Sequence, residues 1–325
     1  MEQFPLISVI IPAYNAAKTI ERACLSVLHQ GYPNVELIVV NDGSRDNTGE
    51  ILDAMSAEYP NLHCIHQQNG GVCRARNAGL AAMSGAYLFF LDADDEIIPG
   101  SLESLYRIAC EHSCDVVAGP SIACKPDGTQ NPDFYENGKE LTIWEGTEPL
   151  RQSLLDHPAT YSVWGNLFRA EAVKDVRFVE GKRIHEDSFF YFEVLNRNLR
   201  MAVTNIHCVR YHMTQGSASR ATFNERFLDI LYFAQRKWEI VQSQHPEYLE
   251  EGRTMQVKAN MAFLKALPLG NNDKPFRQQE KTCLAQVRQN ARYFVPAITM
   301  DRILFLFIRL RLFWLFKMLY RLLRR

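Results

Sequence analysis

Apolar and polar positions alternate in blocks along the first hundred residues. Between strand-like apolar blocks, apolar residues recur at helical spacing, for example at Ile20, Cys24, Val27 and Leu28. This alternation, with one strand about every 25–30 residues, predicts an α/β fold with a mostly parallel sheet. The apolar blocks, nearly continuous as in strands buried on both faces, cover residues 6–12, 35–41, 62–66 and 86–92.

The rest of the chain is less regular. Turn-forming residues interrupt the pattern from about 120 to 160, and residues 161–212 predict mixed strands and short helices that complete a site. Residues 222–293 predict helices, broken at prolines. We therefore predict a domain over residues 1–220, a helical appendage over 221–295 and a basic amphipathic helix over 296–325.

Polar residues stand where the predicted strands end. Tyr14 and Asn15 follow the first strand, Asp42 the second and Asp92 the fourth. Ligands of parallel α/β sheets bind beyond the carboxyl ends of the strands. Each residue alone could serve a turn, but together on one rim they predict a ligand site.

The turn after the first strand, residues 12–17, contains no glycine. Dinucleotide-binding enzymes wrap a diphosphate with a glycine-rich turn there, so another element must neutralise a diphosphate here. Asp92, Asp94 and Asp95 supply the hard oxygen ligands that suit Mg²⁺ or Mn²⁺ beside substrate phosphates. The alternatives are an acidic turn before Pro99, or a phosphatase of the haloacid-dehalogenase type, which carries Asp-x-Asp after its first strand.

A second acidic pair, Glu186 and Asp187, precedes the aromatic run 189–192. An apolar wall raises the pKa of a carboxylate and makes it a workable general base. The alternative is a helix N-terminus, where acids complement the helix dipole.

Composition limits the classes of function. With 47% hydrophobic residues, 22% charged residues and a formal net charge of −1, the chain is globular and no nucleic-acid partner is expected. The eight cysteines form no Cys-x-x-Cys pair, and the first 25 residues lack the pattern of a signal peptide. We therefore expect a reducing, cytoplasmic environment.

Four segments come in the order and spacing of a known family. The chain resembles the family 2 inverting glycosyltransferases of the GT-A fold, a Rossmann-like, mostly parallel sheet flanked by helices. Particularly similar are bacterial enzymes that build capsular, exopolysaccharide or lipopolysaccharide glycans. The resemblance is dense over residues 6–100, continues to Asp187 and fades after about 220. The segments are Ser8-Val-Ile-Ile-Pro-Ala-Tyr-Asn15, Val40-Asn-Asp-Gly-Ser-Arg-Asp-Asn-Thr48, Asn69-Gly-Gly-Val-Cys-Arg-Ala-Arg-Asn-Ala-Gly-Leu80 and Phe90-Leu-Asp-Ala-Asp-Asp95.

The resemblance implies contacts to a nucleotide-sugar donor. Asp42 should hydrogen-bond the base, usually uracil, and Arg76 should fix the nucleotide or diphosphate. Asp92 should approach the ribose. The other donor-binding positions are Pro12, Tyr14, Asn15 and Asp95.

The resemblance also implies a metal and a base. Asp94, with Asp92 and His212, should ligate Mn²⁺ or Mg²⁺. Asp187, with Glu186 beside it, should deprotonate the acceptor hydroxyl, so that one direct displacement inverts the anomeric carbon.

Two further segments refine the expected activity. The Gln-x-x-Arg-Trp motif of processive synthases is absent, which favours addition of a single sugar. Residues 211–220 resemble a family loop that covers the diphosphate. The rival functions are a non-catalytic nucleotide-sugar-binding or assembly protein of polysaccharide synthesis and a metal-dependent phosphohydrolase.

The C-terminal segment is both apolar and basic. Residues 302–325 contain seven Lys or Arg and no acid, and no apolar run there is long enough for a transmembrane span. As one helix they would present a basic side and an apolar side carrying Leu304 and Ile308, which predicts an interfacial helix on anionic lipid. A lipid-linked glycan acceptor at the cytoplasmic face of the inner or plasma membrane would require such placement. The alternatives are packing against the body or against a second copy in a homodimer. The predicted membrane contacts are Arg302, Arg309, Trp314, Lys317 and Arg321.

Overall fold

A computed structural model describes residues 4–132, 140–213, 223–270, 273–296 and 298–323. The chain divides into two compact units near residue 216. The first is an α/β unit and the second is helical. Residues 214–220 of the predicted diphosphate-covering loop lie outside the described residues.

The first unit is built on an eight-stranded sheet of order β3-β2-β1-β4-β10-β6-β11-β9, with a second sheet of order β5-β12-β7-β8. The strands are β1 (Ile7–Ala13), β2 (Val35–Asn41), β3 (Leu62–His66), β4 (Tyr87–Phe90), β5 (Glu96–Ile97), β6 (Val116–Ala118), β7 (Ser121–Cys124), β8 (Gln130–Pro132), β9 (Leu141–Trp144), β10 (Asn166–Arg169), β11 (Met201–Thr204) and β12 (Val209–His212). The helices are α1 (Ile20–Leu28), α2 (Thr48–Glu58), α3 (Val72–Ala82), α4 (Ser101–Glu111), α5 (Glu148–Leu154), α6 (Ala170–Val173) and α7 (Glu186–Leu195).

The four strands predicted from the apolar blocks are confirmed as β1 to β4. β1 lies between β2 and β4, parallel to both, with Ile10 opposite Ile38 on one side and Phe90 on the other. All three side chains are buried, as expected of a strand covered on both faces. The carboxyl ends of these strands therefore meet on one rim of the sheet.

A close approach between α3 and β1 depends on a glycine. A Cβ at Gly79 would lie 2.4 Å from Cγ2 of Ile10, so a larger residue would have to displace either the Ile10 side chain or the helix. This contact fixes α3 beneath the rim and places Arg76, one turn earlier, close to the ends of β1 and β4.

The second sheet and the reversed strand β10 were not predicted. β10 runs antiparallel to both β4 and β6, and the strands of the second sheet have two to four residues. Segments this short carry no recognisable period of two, so their pairing is decided by tertiary contacts.

The second unit contains the helices predicted for residues 222–293. They are α8 (Leu228–Gln244), α9 (Leu249–Ala266) and α10 (Arg277–Gln289). Short 3₁₀ turns containing Pro246, Pro268 and Pro275 separate them, as the proline positions predicted.

The prediction of one continuous C-terminal helix is wrong. The segment forms two helices, α11 (Thr299–Arg309) and α12 (Phe313–Leu323). Arg311 adopts a left-handed backbone with φ 62°. The N–H of Arg311 donates to the carbonyl of Ile308 at 3.2 Å, and that of Leu312 donates to Phe307 at 2.8 Å. This pair of bonds is a Schellman motif, which ends α11.

The predicted apolar face of the tail is also wrong in part. Leu304 and Ile308 are fully buried in a core cluster that includes Phe263 and Val287 of the same unit. The ammonium of Lys317 lies 3.0 Å from Asp273 and 2.8 Å from Glu280, with the side chain only 16% exposed. Lys317 therefore forms ion pairs within the helical unit. Its predicted contact with lipid is wrong, because the side chain packs against this unit.

Four of the five residues predicted to contact the membrane have exposed side chains on α11 and α12. Arg302, Arg309 and Trp314 are exposed, and Arg321 is about half exposed while it contacts Asp273 at 3.0 Å. Within the part of the chain that the structure describes, no helix combines the length and apolar character required to cross a bilayer.

Candidate active site

The turn after β1 is held by the turn after β2. Asn15 takes the left-handed conformation, φ 51°, that a glycine would otherwise supply. Its side-chain carbonyl accepts from the N–H of Arg45 at 2.8 Å, and its own N–H donates to Ser44 at 2.9 Å. Tyr14, 48% exposed, stands on this turn beside the half-buried Pro12, so both predicted nucleotide contacts lie at the rim.

Asp42 organises the loop that follows β3. Its carboxylate accepts hydrogen bonds from the backbone N–H groups of Gly70 and Gly71, each at 2.8 Å, and from the side chain of Gln67 at 2.7 Å. The residue is only 3% exposed. Asp42 therefore shapes the wall of the rim, and its predicted bond to a base would be an additional one.

The acidic turn after β4 separates its carboxylates by depth. Asp92 and Asp94 are partly exposed, whereas Asp95 is fully buried. Asp95 accepts a hydrogen bond from the backbone N–H of His212 at 2.8 Å. Burial, with the nearby charge of Asp92, raises the pKa of Asp95 to about 8. Asp95 thus supports the turn from inside, and its predicted nucleotide contact stays a prediction.

His212 lies against the acidic turn through its backbone, and its ring is paired next to that turn. Its Nε2 lies 2.7 Å from Oε1 of Glu96, on the neighbouring strand β5. Arg22, which carried no sequence signal, holds the same glutamate at 3.1 Å and donates to the carbonyl of Asp94 at 2.7 Å. The role of His212 as a metal ligand stays a prediction, and the structure shows its ring paired with Glu96 in the second sheet.

Arg76 joins the two acidic sites that the sequence predicted separately. One guanidinium nitrogen donates to Asp92 at 3.0 Å and another donates to Glu186 at 3.1 Å. The Arg76 side chain is 5% exposed, and its guanidinium lies 5.3 Å from the ring centre of Phe178. Burial lowers the pKa of Arg76, but the surrounding carboxylates outweigh it and raise the value.

Glu186 and Asp187 begin α7, where the helix dipole favours acids. Burial, followed by the charge of Asp187, raises the pKa of Glu186 to about 7. Burial also raises the pKa of Asp187. His185, immediately before them, has a left-handed backbone with φ 64°, as found at positions held by surrounding structure. A carboxylate whose pKa lies near neutrality is suited to take a proton.

The donor set fits a divalent cation. Asp92 and Asp94 present hard oxygens at the rim, and one oxygen of Asp92 is already held by Arg76. The acids Asp92, Asp94, Glu186 and Asp187 outnumber the single buried arginine. Two carboxylates with substrate phosphates are the usual protein ligands of Mg²⁺. Asp92 and Asp94 would hold the ion.

A different trio comes together away from these acids in sequence. Among the described residues, Asp53, Cys64 and His66 form the one group of three metal-binding side chains whose ligand atoms lie within 4.8 Å of one another. The Asn41 amide group lies 3.0 Å from Nδ1 of His66, and its oxygen accepts from Ser44. The proton of a neutral His66 is then on Nε2, facing Asp53 at 2.9 Å. Asp53, Cys64 and Asn41 thus each contact the His66 ring by a hydrogen bond, and these contacts require no metal.

Comparisons with known sequences identify the family of the chain. The family model described as "Glycosyl transferase family 2" matches residues 8–177. The Escherichia coli glycosyltransferase YibD is 31% identical over 218 residues, covering 66% of this chain and 63% of that protein. The glycosyltransferase GlyG of Streptococcus pneumoniae serotype 4 is 30% identical over 227 residues, covering 67% of this chain and 74% of that protein. The chain thus spans somewhat less than two thirds of the length of YibD.

Comparison of structures gives the same fold. The crystal structure of S. aureus TarS 1–349 superposes with a TM-score of 0.70 at 20% identity, covering 96% of this chain and 89% of that one. The structure of the same protein in complex with UDP-GlcNAc superposes with a TM-score of 0.62, at the same identity and coverage. The predicted GT-A fold is confirmed.

Proposed function

The chain belongs to glycosyl transferase family 2, and from this premise we propose that it transfers a single sugar from a nucleotide-diphosphate donor to a growing glycan, inverting the anomeric carbon. The observation that carries the proposal is the double contact of Arg76. One buried cation touches the acid of the donor-side turn, Asp92, and the acid beside the base, Glu186. A shared cation holds the two sides at a fixed separation, as a direct displacement requires.

The donor would bind along the rim with its nucleotide beside Tyr14 and Asn15. We propose a UDP-sugar, since TarS, which shares the fold, is seen with UDP-GlcNAc. The wall formed by Asp42 and the loop over Gly70–Gly71 would enclose the base, with the remaining acceptor capacity of Asp42 available to it.

Asp187 would act as the base. It would take the proton of the acceptor hydroxyl as that oxygen forms a bond to the anomeric carbon, while the bond from that carbon to the diphosphate breaks and the nucleoside diphosphate leaves with the electron pair. Glu186, held by Arg76 at 3.1 Å, would fix the start of α7 and hence the position of its neighbour. In-line geometry yields inversion.

A divalent cation, Mn²⁺ or Mg²⁺, bound by Asp92 and Asp94 would supply charge stabilisation to the departing diphosphate. The chain's own part is to hold these carboxylates in place. Arg22 fixes the carbonyl of Asp94, and Asp95 anchors the turn to β12 from inside.

We further propose a lipid-linked acceptor reached at the cytoplasmic face of the membrane. The support is the outward face of α11 and α12, which we define as the tail face. The segment over residues 302–322 contains no acid, so its charge complements an anionic bilayer. Tail-face residues at least 41% exposed are Ile303, Leu306, Leu310, Trp314, Met318, Leu319 and Leu322, and Arg302, Arg309 and Arg311 are exposed among them. Apolar side chains interspersed with arginines are the composition of an interfacial surface.

The test is to incubate the full chain with radiolabelled UDP-sugars, Mn²⁺ and a lipid-linked glycan extract. Transfer predicts that UDP release depends on the extract and that label enters the lipid fraction. Release of UDP without an acceptor would indicate a phosphohydrolase or hydrolase instead. Binding without release by every donor would indicate a non-catalytic binding protein.

A further inference from the structure

A cavity of about 300 Å³ lies among α8, α9 and α10 of the helical unit. Its floor is apolar, formed by Leu231, Ala234 and Cys283. Around this floor stand side chains that carry amides or a hydroxyl and no charge. We define it as the amide cavity. Its volume lies at the lower end of the range for ligand sites, which begins at about 300 Å³.

The three helices each turn amides toward this cavity. Gln235 comes from α8, and Gln256 and Asn260 come from α9. From α10 come Gln278, Gln279, Thr282 and Gln286. The positions from α10 recur at helical spacing on one face, as a single inward-facing stripe must.

Charged residues of α10 point elsewhere. Arg277, Glu280, Lys281 and Arg288 alternate in sequence with the amides, yet none lines the cavity. Glu280 instead pairs with Lys317, and Arg288 donates to the carbonyl of Ile308. Because none of the lining residues is charged, the cavity offers a phosphate or a metal ion no opposite charge.

One amide in the wall lacks a partner. Oε1 of Gln279 is buried and accepts no hydrogen bond from any residue that the structure describes, a state that costs free energy unless a donor arrives. Nearby, Nε2 of Gln256 donates to Oε1 of Gln235 at the long distance of 3.4 Å. Gln235 also donates to Glu239 at 3.1 Å, and Asn260 donates to the backbone carbonyl of Gln256 at 2.8 Å, so the long bond between Gln256 and Gln235 is the weakest of the three.

An amide offers donors and an acceptor, and a hydroxyl likewise donates and accepts. A sugar presents hydroxyls around its edge and apolar C–H groups on its faces, which match the amide rim and the apolar floor. We propose that the amide cavity binds a neutral saccharide segment. Its role in holding the acceptor glycan rests on the proposed function; the binding itself does not.

The experiment is saturation-transfer-difference NMR on the full chain with neutral malto-, cello- and chito-oligosaccharides, and with an oligogalacturonide as the charged comparison. At least one neutral oligosaccharide should receive saturation, and the oligogalacturonide should not. Replacing Gln256→Met together with Gln286→Met keeps side-chain length and helix propensity but removes two amides, so affinity should fall about tenfold. The matched control replaces two exposed glutamines outside the cavity, Gln242→Met and Gln289→Met, and should bind as the wild type does.

Three outcomes would overturn the proposal. The first is absence of saturation with every neutral oligosaccharide. The second is equal binding by the two pairs of variants. The third is a rise in the melting temperature of the cavity variant without loss of binding, which is expected if the methionines merely fill a gap that held water. The assay is repeated in Asp187→Asn, where binding should persist. Absence of sugar transfer by the wild-type chain, with saccharide binding retained, would contradict the proposed function alone.

Discussion

Arg76 donates a hydrogen bond to Glu186 at 3.1 Å across 110 positions of sequence. The same guanidinium holds Asp92 at 3.0 Å. The acidic turn after β4 and the acidic start of α7 are therefore parts of one buried charge network. We therefore expect a substitution of Arg76 to disturb both the acidic turn after β4 and the acidic start of α7.

Replacement Arg76→Met tests this network. The variant leaves Asp92 and Glu186 without their cation, and removing one partner of a buried ion pair costs about 3–5 kcal/mol. We expect a lower melting temperature and a loss of transfer of about 100-fold or more, whereas Arg76→Lys should recover part of the stability but little activity, because one ammonium does not span both acids. The control is Arg107→Met, which removes an exposed pair with Glu103 and should change stability by about 0.5 kcal/mol or less. Equal behaviour of Arg76→Met and the control would contradict the network.

The raised carboxylate pKa values predict the pH dependence of transfer. Glu186 titrates near 7 and the pKa of Asp187 is also raised, so the pair binds protons at pH values where ordinary carboxylates are ionised. The proposed base, Asp187, is protonated and inactive at low pH, and because burial raises its pKa, kcat/KM should keep rising with pH above the range in which an ordinary aspartate is already ionised. A pH profile already flat above 5 would contradict this assignment.

Stability should show the opposite slope. For Glu186 the folded-state pKa of about 7 exceeds the ordinary glutamate value of 4.5. Its contribution to stability is therefore fully present below the unfolded-state pKa and is lost as pH rises through the folded-state value. Glu186→Gln should flatten the decline in melting temperature between about pH 5 and 8, measured by scanning calorimetry. A variant that retains the wild-type slope would assign the slope to other groups.

Asp94→Ala should uncouple donor binding from the metal. In the wild type, a UDP-sugar with Mn²⁺ should raise the melting temperature, since a ligand stabilises in proportion to the logarithm of its occupancy. EDTA should remove most of this shift. In Asp94→Ala the shift should be small with or without Mn²⁺, and transfer should fall by about 100-fold or more. The control Asp175→Ala removes an exposed acid outside the rim and should keep the metal-dependent shift. A full shift in Asp94→Ala would exclude it as the metal ligand.

The tail face predicts binding to anionic vesicles. Each arginine near an anionic surface contributes about 1 kcal/mol of binding free energy. With three exposed arginines on the tail face, replacing anionic lipid by a neutral one should lower the affinity for vesicles, measured by flotation of the full chain, by about 100-fold. Leu310→Ser with Trp314→Ser should weaken it further by removing the inserted apolar groups, and light scattering should show whether these residues pair two copies instead. The control pair, Ile206→Ser and Tyr232→Ser, removes exposed apolar side chains outside the tail face. If the Leu310→Ser, Trp314→Ser variant floats as the wild type does but changes from dimer to monomer, the tail face pairs two copies and does not bind the membrane.

Sequence reasoning found what local pattern encodes. The four buried strands and their rim residues follow from continuous apolar runs, and the proline breaks of the helical unit follow from the missing N–H. The tail was misjudged because a helical wheel assumes one axis. The left-handed Arg311 divides that axis, and the partners of Leu304 and Lys317 lie on α9 and α10 or beside them, where no local pattern points.

The candidate site shows the same division. Asp92, Asp94 and Asp187 are motif residues, and the structure leaves each of them partly exposed, while their roles stay predictions. The depth of Asp95 and the pairing of His212 with Glu96 depend on the short strands β5 and β12. Arg22 and Phe178, which hold the turn and the guanidinium, belong to no motif and become visible only through contacts.

The most direct test of the central claim is the transfer product of wild type and Asp187→Asn. The assay uses a UDP-sugar of known α configuration, the acceptor extract that supports turnover, and NMR of the new anomeric proton, with melting temperature as the measure of folding. The prediction is a β-linked product from the wild type, and at least about a 1,000-fold slower reaction in a folded Asp187→Asn. An α-linked product, or wild-type turnover by the variant, would contradict inversion by this carboxylate.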